Sequence, residues 1–141
     1  MAINNNKILI IGLGYVGLPL CVELNKKQIF VSGFDLDKEY VKNLNKSKDT
    51  KSILEKDTKY LKNINFSNDI RNFSDHNIFI IAVPTPIFKN KKPNFNYVLK
   101  ALDFISVVLK KNDTIILEST VYPGFSEDII YPFFKKKKIY L

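Results

Sequence analysis

The sequence is short of the residues that usually carry covalent and metal chemistry. It has one cysteine, Cys21, and one histidine, His76. An internal disulfide and a cysteine-rich or paired-histidine metal site are therefore excluded, and no metal is expected. No apolar run approaches the ~20 residues needed to span a bilayer. The opening MAINNNK leads straight into a short apolar run, without the layout of a secretion signal. The expectation is a cytoplasmic protein without a membrane segment. Acids are also few: 14 against 22 lysines and arginines, a net charge of +8. Such an excess can collect nucleic-acid phosphates by counterion release. Here the lysines are scattered among asparagines, are densest at Lys89 to Lys92 and Lys135 to Lys138, and accompany no base-reading module. They read as solvated faces that favour phosphorylated ligands in general, and no nucleic-acid partner is expected.

Glycine is scarce as well, which makes its placement informative. Three of the five glycines, Gly12, Gly14 and Gly17, fall together as G-x-G-x-x-G directly after the aliphatic run Ile8 to Ile11. That run suits a strand buried on both faces of a parallel sheet. In a dinucleotide site each missing side chain has its own purpose. Gly12 permits a tight turn out of the strand, Gly14 lets the backbone approach a pyrophosphate, and Gly17 lets the next helix pack against the sheet. The helix N-terminus then offers its free N–H groups to the phosphates. The same spacing could also serve turning alone, so context decides. An amphipathic run follows, with Val16, Leu20 and Leu24 on one side and Glu23, Lys26 and Lys27 on the other. A second strand, Ile29 to Phe34, ends at Asp35, 18 residues beyond Gly17. This is close to the ~20-residue spacing of the carboxylate that binds an adenine ribose. Such an acid would repel a 2′-phosphate, so NAD is expected over NADP, with Lys38 nearby as the residue that speaks against it.

The rest of the chain continues in the same style. Lys38 to Asn45 reads as a second helix, the stretch holding Ile53, Leu54, Tyr60 and Leu61 as a weakly patterned one, and Ile64 to Phe66 as a short strand. Ile78 to Val83 is another uninterrupted strand, stopped by Pro84-Thr85-Pro86, which lacks the N–H groups a ladder needs. Asn96 to Lys110 carries Val98, Leu99, Leu102, Ile105, Val108 and Leu109 on one helical face. Thr114 to Leu117 forms a further strand, and Ser126 to Phe134 a last helix. The order predicts an α/β fold, a Rossmann-like doubly wound parallel sheet covered by helices on both faces, and 141 residues with 45% apolar content suit a single domain.

Polar residues follow three of the strands: Asp35, then Thr85, then Ser119 and Thr120. In such sheets ligands bind at the carboxyl ends of the strands. Hydroxyl residues there also commonly cap a turn, and spacing alone does not choose between the two uses of Thr85 and Thr120. Cys21 among apolar neighbours reads as a small core residue. His76, after Ser74-Asp75, reads as an exposed loop residue, and Glu127-Asp128 as a complement to a helix dipole.

Taken together, IIGLGYVGLPL, GFDLD, IIAVPTP and ESTVYPG, in this order and at these intervals, resemble the N-terminal NAD-binding domain of the UDP-glucose/GDP-mannose dehydrogenase family. The likeness is nearest to the branch that oxidises UDP-N-acetyl-D-glucosamine or -galactosamine, the Vi-polysaccharide and O-antigen type. The resemblance implies an enzyme that oxidises the C6 alcohol of a nucleotide sugar to a carboxylate with two NAD per turnover, for surface polysaccharide synthesis. By position it implies that Gly12, Gly14, Tyr15, Val16 and Gly17 surround the pyrophosphate and that Asp35 holds the adenosine ribose. Thr85 of V-P-T-P would lie against the cofactor, and Thr120 of S-T-V near the nicotinamide, placing water or sugar. Glu118 matches a position that differs among branches.

Two departures stand out. Tyr40 occupies a position, five beyond the ribose acid, where a basic residue is common. The family's P-E-R segment, its catalytic lysine, asparagine and cysteine, and its UDP-binding C-terminal domain have no counterpart here, and Cys21 does not match the nucleophile. The expectation is therefore a truncated domain, residues 1–141, inactive alone. The ending KKKKIYL suggests a truncation or a reading-frame slip in a lysine run. The resemblance implies a UDP-sugar substrate and a homodimeric full-length protein. The alternatives are a non-catalytic dinucleotide-sensing or partner-binding module, or another NAD-dependent dehydrogenase of the same fold.

Overall fold

The computed structural model describes residues 6–54, 56–89 and 91–139. Five strands, β1 (Ile8–Ile11), β2 (Val31–Phe34), β3 (Asn65–Ser67), β4 (Ile78–Ile81) and β5 (Thr114–Leu117), form one sheet in the order β3-β2-β1-β4-β5, every pair parallel. This is the doubly wound arrangement, with the reversal of strand order between β1 and β4. Four helices complete it: α1 (Gly17–Lys26), α2 (Lys38–Leu44), α3 (Asn96–Val108) and α4 (Tyr131–Lys136).

Successive strand residues point to opposite faces, and the two cores follow from that alternation. Leu9, Ile11, Phe79 and Ile81 join Val98, Leu102 and Ile105 of α3 and Phe134 of α4 on one face. Ile10 and Ile80 join Leu18, Cys21 and Val22 of α1 and Val41 and Leu44 of α2 on the other. Each fully buried aliphatic or aromatic side chain contributes about 1.5–3 kcal/mol. β5 differs from the expected two-sided burial. Ile115 and Leu117 pack into the first core, but Ile116 is 37% exposed, because the helices of the second core stop at β4.

Several boundaries move for local reasons. Ile29 and Phe30 are exposed and precede β2, whose approach is bent by Gln28 at a left-handed φ of 60°. The fully buried side of α1 is Gly17, Leu18, Cys21 and Val22; Leu20 and Leu24 are partly buried against the same core, whereas Val16 is 55% exposed. The weak central helix is a 3-10 segment, Asp57–Asn63, with Ile53 and Leu54 outside it. A short 3-10 turn at Ile70–Phe73, tied by the Asp69 carboxylate accepting from the Arg71 amide, has no counterpart in the sequence reading. The last helix is a π-turn, Ser126–Ile130, running into α4.

His76 is the clearest reversal. It is 3% exposed, not a loop side chain in solvent. Asp75 can only accept, so the neutral imidazole donates from Nδ1 to Asp75 Oδ1 at 2.9 Å, leaving Nε2 to accept from the Ser32 hydroxyl at 3.0 Å. The rings of Phe30 and Phe73 flank it at 5.8 and 5.2 Å. A polar turn just before a central strand is thus pulled under the sheet, because buried Ser32 on β2 needs a partner.

At the carboxyl end of β1 two glycines are demanded by geometry. Gly12 has a φ of 93°, and a Cβ there would meet the Ala82 carbonyl oxygen and Val83 Cγ1 of the adjoining chain at 3.0 Å. At Gly17 a Cβ would stand 1.8 Å from the Gly12 carbonyl oxygen. The first turn of α1 can therefore close on β1 only with glycine there.

Two outcomes follow from this packing. Gly17→Ala is expected to destabilise the fold by about 3 kcal/mol or more, since the clash is with backbone and not with a yielding side chain, as read by chemical denaturation. Burial holds the His76 imidazole below its ordinary pKa of 6.5, outweighing Asp75, which pulls the other way. The unfolded chain then binds the extra proton first. Stability is complete above about pH 6.5 and falls as the pH drops towards 5, whereas Asp69 and Asp75, held below their ordinary 3.8, act only at lower pH. Thermal unfolding of His76→Gln between pH 7 and 5 is expected to lose most of that slope.

Candidate functional site

A cleft of about 280 Å³ opens at the carboxyl edge of the sheet, beside the β1–β4 reversal. Ile11 and Gly12 form its floor, Phe34 to Asp37 one wall, Val83 and Pro84 another, and Tyr97, Lys100, Ala101 and Phe104 of α3 the far side. Its lining is mostly apolar, with two carboxylates at one end.

Asp35 is half-buried and fixed by backbone donors. Its Oδ2 accepts from the Leu13 amide at 2.9 Å and its Oδ1 from the Asp37 amide at 3.0 Å. The first of these ties the end of β2 to the glycine turn, so the acid and the turn cannot move independently. Asp37 in turn caps α2, its Oδ1 accepting from the Tyr40 amide at 2.9 Å.

Gly14 differs from its two neighbours. It has no left-handed φ, and a Cβ added to it would meet nothing within 4 Å. Neither the fold nor the packing asks for glycine; the bare backbone leaves open space above the turn. Directly beyond it, α1 begins at Val16 with no side-chain cap and no acid in its first turn. The orphan N–H groups and positive end of the helix dipole there suit an anion. Tyr15 and Val16, 83% and 55% exposed, flank this space.

Neither threonine lines the cleft: Thr85 follows Pro84 of its wall and is partly covered, and Thr120 is exposed beyond β5. Ser119 between β5 and Thr120 donates from its hydroxyl to the Val83 carbonyl at 2.7 Å, holding the two strand ends together. The turn after Thr120 is anchored by an aromatic cluster, Phe95, Tyr122 and Phe125, with centroids 4.7–5.8 Å apart. Burial, and then the nearby Asp128 carboxylate, oppose ionisation of the Tyr122 hydroxyl. Glu118 is exposed, and its amide donates to the Ile81 carbonyl.

Cys21 is fully buried, and burial pushes its thiol far above the ordinary range. It is core, as expected, and no nucleophile. Among the described residues no group of three or more His, Cys, Asp or Glu is placed to hold a metal ion, and no helix is long and apolar enough to cross a membrane.

The wall contributed by α3 was absent from the sequence reading. Its signal was a second stripe, Tyr97, Ala101 and Phe104 at helical spacing, beside the core stripe of Val98, Leu102 and Ile105. Asp37, present in GFDLD but not singled out there, also lines the cleft.

The sequence profile of the UDP-glucose/GDP-mannose dehydrogenase family, NAD binding domain, matches residues 6–140. Over 131 residues the chain is 42% identical to the UDP-N-acetyl-D-glucosamine 6-dehydrogenase of Pseudomonas aeruginosa, covering 92% of this chain and 31% of that protein. It is 37% identical to the UDP-N-acetyl-D-mannosamine dehydrogenase of Methanocaldococcus jannaschii, covering 96% and 33%. The solved UDP-N-acetyl-mannosamine dehydrogenase of Staphylococcus aureus superposes with a TM-score of 0.81 at 28% identity, over 96% of this chain and 34% of that one. The chain thus spans about a third of the length of the relatives it matches. With a Rossmann-like sheet, a glycine turn latched to the acid at the end of β2 and a match along nearly its whole length, this chain belongs to the UDP-glucose/GDP-mannose dehydrogenase family as its NAD-binding domain.

Proposed function

We propose that residues 6–140 bind NAD for a dehydrogenase that oxidises the C6 alcohol of a UDP-N-acetylhexosamine to the uronate, in the cytoplasm, for surface polysaccharide synthesis. The observation that carries this reading is Gly14, a glycine that nothing within the chain requires and whose missing side chain leaves room beside an uncapped helix N-terminus. Gly12, Gly14, Tyr15, Val16 and Gly17 would hold the cofactor's diphosphate. Asp35 would accept from its adenosine ribose hydroxyls, and Leu36 with the Tyr97–Ala101–Phe104 stripe would offer an apolar surface to the adenine.

When bound, the nicotinamide supplies a hydride acceptor. The chain's own residues orient it. Thr85 meets the cofactor beyond Pro84, and Thr120, on the exposed strand end, faces the reacting sugar or water. A thiol other than Cys21 must form any covalent intermediate, since Cys21 is sealed in the core. The domain by itself therefore binds without turning over. The similarity to much longer relatives supports a UDP-sugar substrate for the whole protein.

A fluorescence titration with NADH is expected to show saturable binding, and NAD with UDP-N-acetylglucosamine to show no NADH formation. Gly14→Ala is expected to unfold at nearly the wild-type temperature while losing at least about tenfold in NADH affinity, its methyl occupying the diphosphate's place. Absence of NADH binding to the wild type, or equal affinity in Gly14→Ala, would overturn the assignment; turnover would show this chain to be catalytically sufficient.

A further inference from the structure

The acid end of the cleft holds more negative charge than ribose recognition needs. Asp35 and Asp37 both line it. Behind them Asp49 accepts from the Tyr40 hydroxyl at 3.2 Å. Tyr40 is 2% exposed, and its ionisation is opposed first by burial and then by Asp49, Asp35 and Asp37, so all three carboxylates act on one ring.

Among the described residues one ammonium, that of Lys51, pairs with these carboxylates, while Lys100 lines the far side of the cleft. Lys51 Nζ lies 3.7 Å from the centroid of the Tyr40 ring and 3.8 Å from Asp37 Oδ2. That is a cation–π contact and an ion pair made by the same group. Its placement is built into the loop after α2. The Asp49 carboxylate accepts from the amides of Lys51, Ile53 and Leu54, and Ser47 and Ser52 take left-handed φ values of 58° and 55°. The loop is folded around Asp49, Asp49 is held by Tyr40, and Lys51 is thereby laid across the ring towards Asp37. Asp35 makes no ion pair among the described residues.

We propose that Lys51 is a specificity-positioning residue: by pairing with Asp37 it leaves Asp35 as the one uncompensated carboxylate at the adenosine ribose, and so limits how strongly the site rejects a 2′-phosphate. The inference rests on the reading that the adenosine ribose lies at Asp35. The physical basis is simple. A 2′-phosphate brings about two negative charges to this end of the cleft, whereas a 2′-hydroxyl brings none. The field of a single lysine therefore acts on NADPH far more than on NADH, and only while salt leaves it unscreened.

The test is the ratio of NADPH to NADH dissociation constants, measured by nucleotide fluorescence at low ionic strength on the whole chain and on Lys51→Met and Asp37→Asn. The methionine keeps an apolar stem on the Tyr40 ring, and asparagine is as good an N-cap as aspartate, so both variants are expected to fold. Lys51→Met is expected to raise the ratio about fivefold and Asp37→Asn to lower it about fivefold, with both returning towards the wild-type ratio at about 0.5 M salt. A purely structural role for Lys51 would weaken both nucleotides together and leave the ratio in place. Ratios within twofold of wild type in both variants overturn this inference and spare the cofactor assignment; a wild-type chain that binds neither nucleotide overturns both.

Discussion

The contact between Gly17 and the Gly12 carbonyl is the constraint on which the site depends. It lets α1 start immediately above the end of β1, with no side chain between helix and sheet. The helix axis is thereby aimed at the switch point, and the loop between has only enough length to turn. Everything that could bind a ligand at this edge is positioned relative to that turn: Asp35 through the Leu13 amide, the β4 end through Ala82 and Val83 packed beside Gly12, and the α3 wall through the shared core beneath.

The three motif glycines separate by physical cause. Gly12 answers to backbone conformation, Gly17 to packing, and Gly14 to neither. A residue kept small for no reason inside the molecule points to something outside it. This argument is independent of any likeness to other proteins, and it agrees with the family match. Asp35 shows the converse. Its carboxylate braces the turn and also lines the cleft, so loss of the acid would disturb both.

At the opposite edge of the sheet the buried His76 closes the hydrogen bond of Ser32 and sits between two phenylalanine rings. The Ser-His-Asp order of contacts there has no catalytic meaning, because Ser32 is 1% and His76 3% exposed, leaving a substrate no access. It is a satisfied polar pair in a core, tuned to the neutral imidazole, and it couples the fold to mildly acidic pH.

Runs of β-branched and aliphatic residues ended by glycine, proline or acid determined the strands, their parallel sheet and the edge at which polar residues gather, because those patterns act over a few residues. The same local logic identified Cys21 as core. It placed His76 in solvent and Val16 on the apolar face of α1, since burial of a particular residue depends on what the sheet presents to it. It also missed Lys51 and the α3 wall, which reach the Asp35–Asp37 end of the cleft only when segments far apart in the chain converge. Element type was therefore decided by local periodicity. Which side chains share the cleft, and which charge balances which, was decided by tertiary packing, where distance in space replaces distance along the chain.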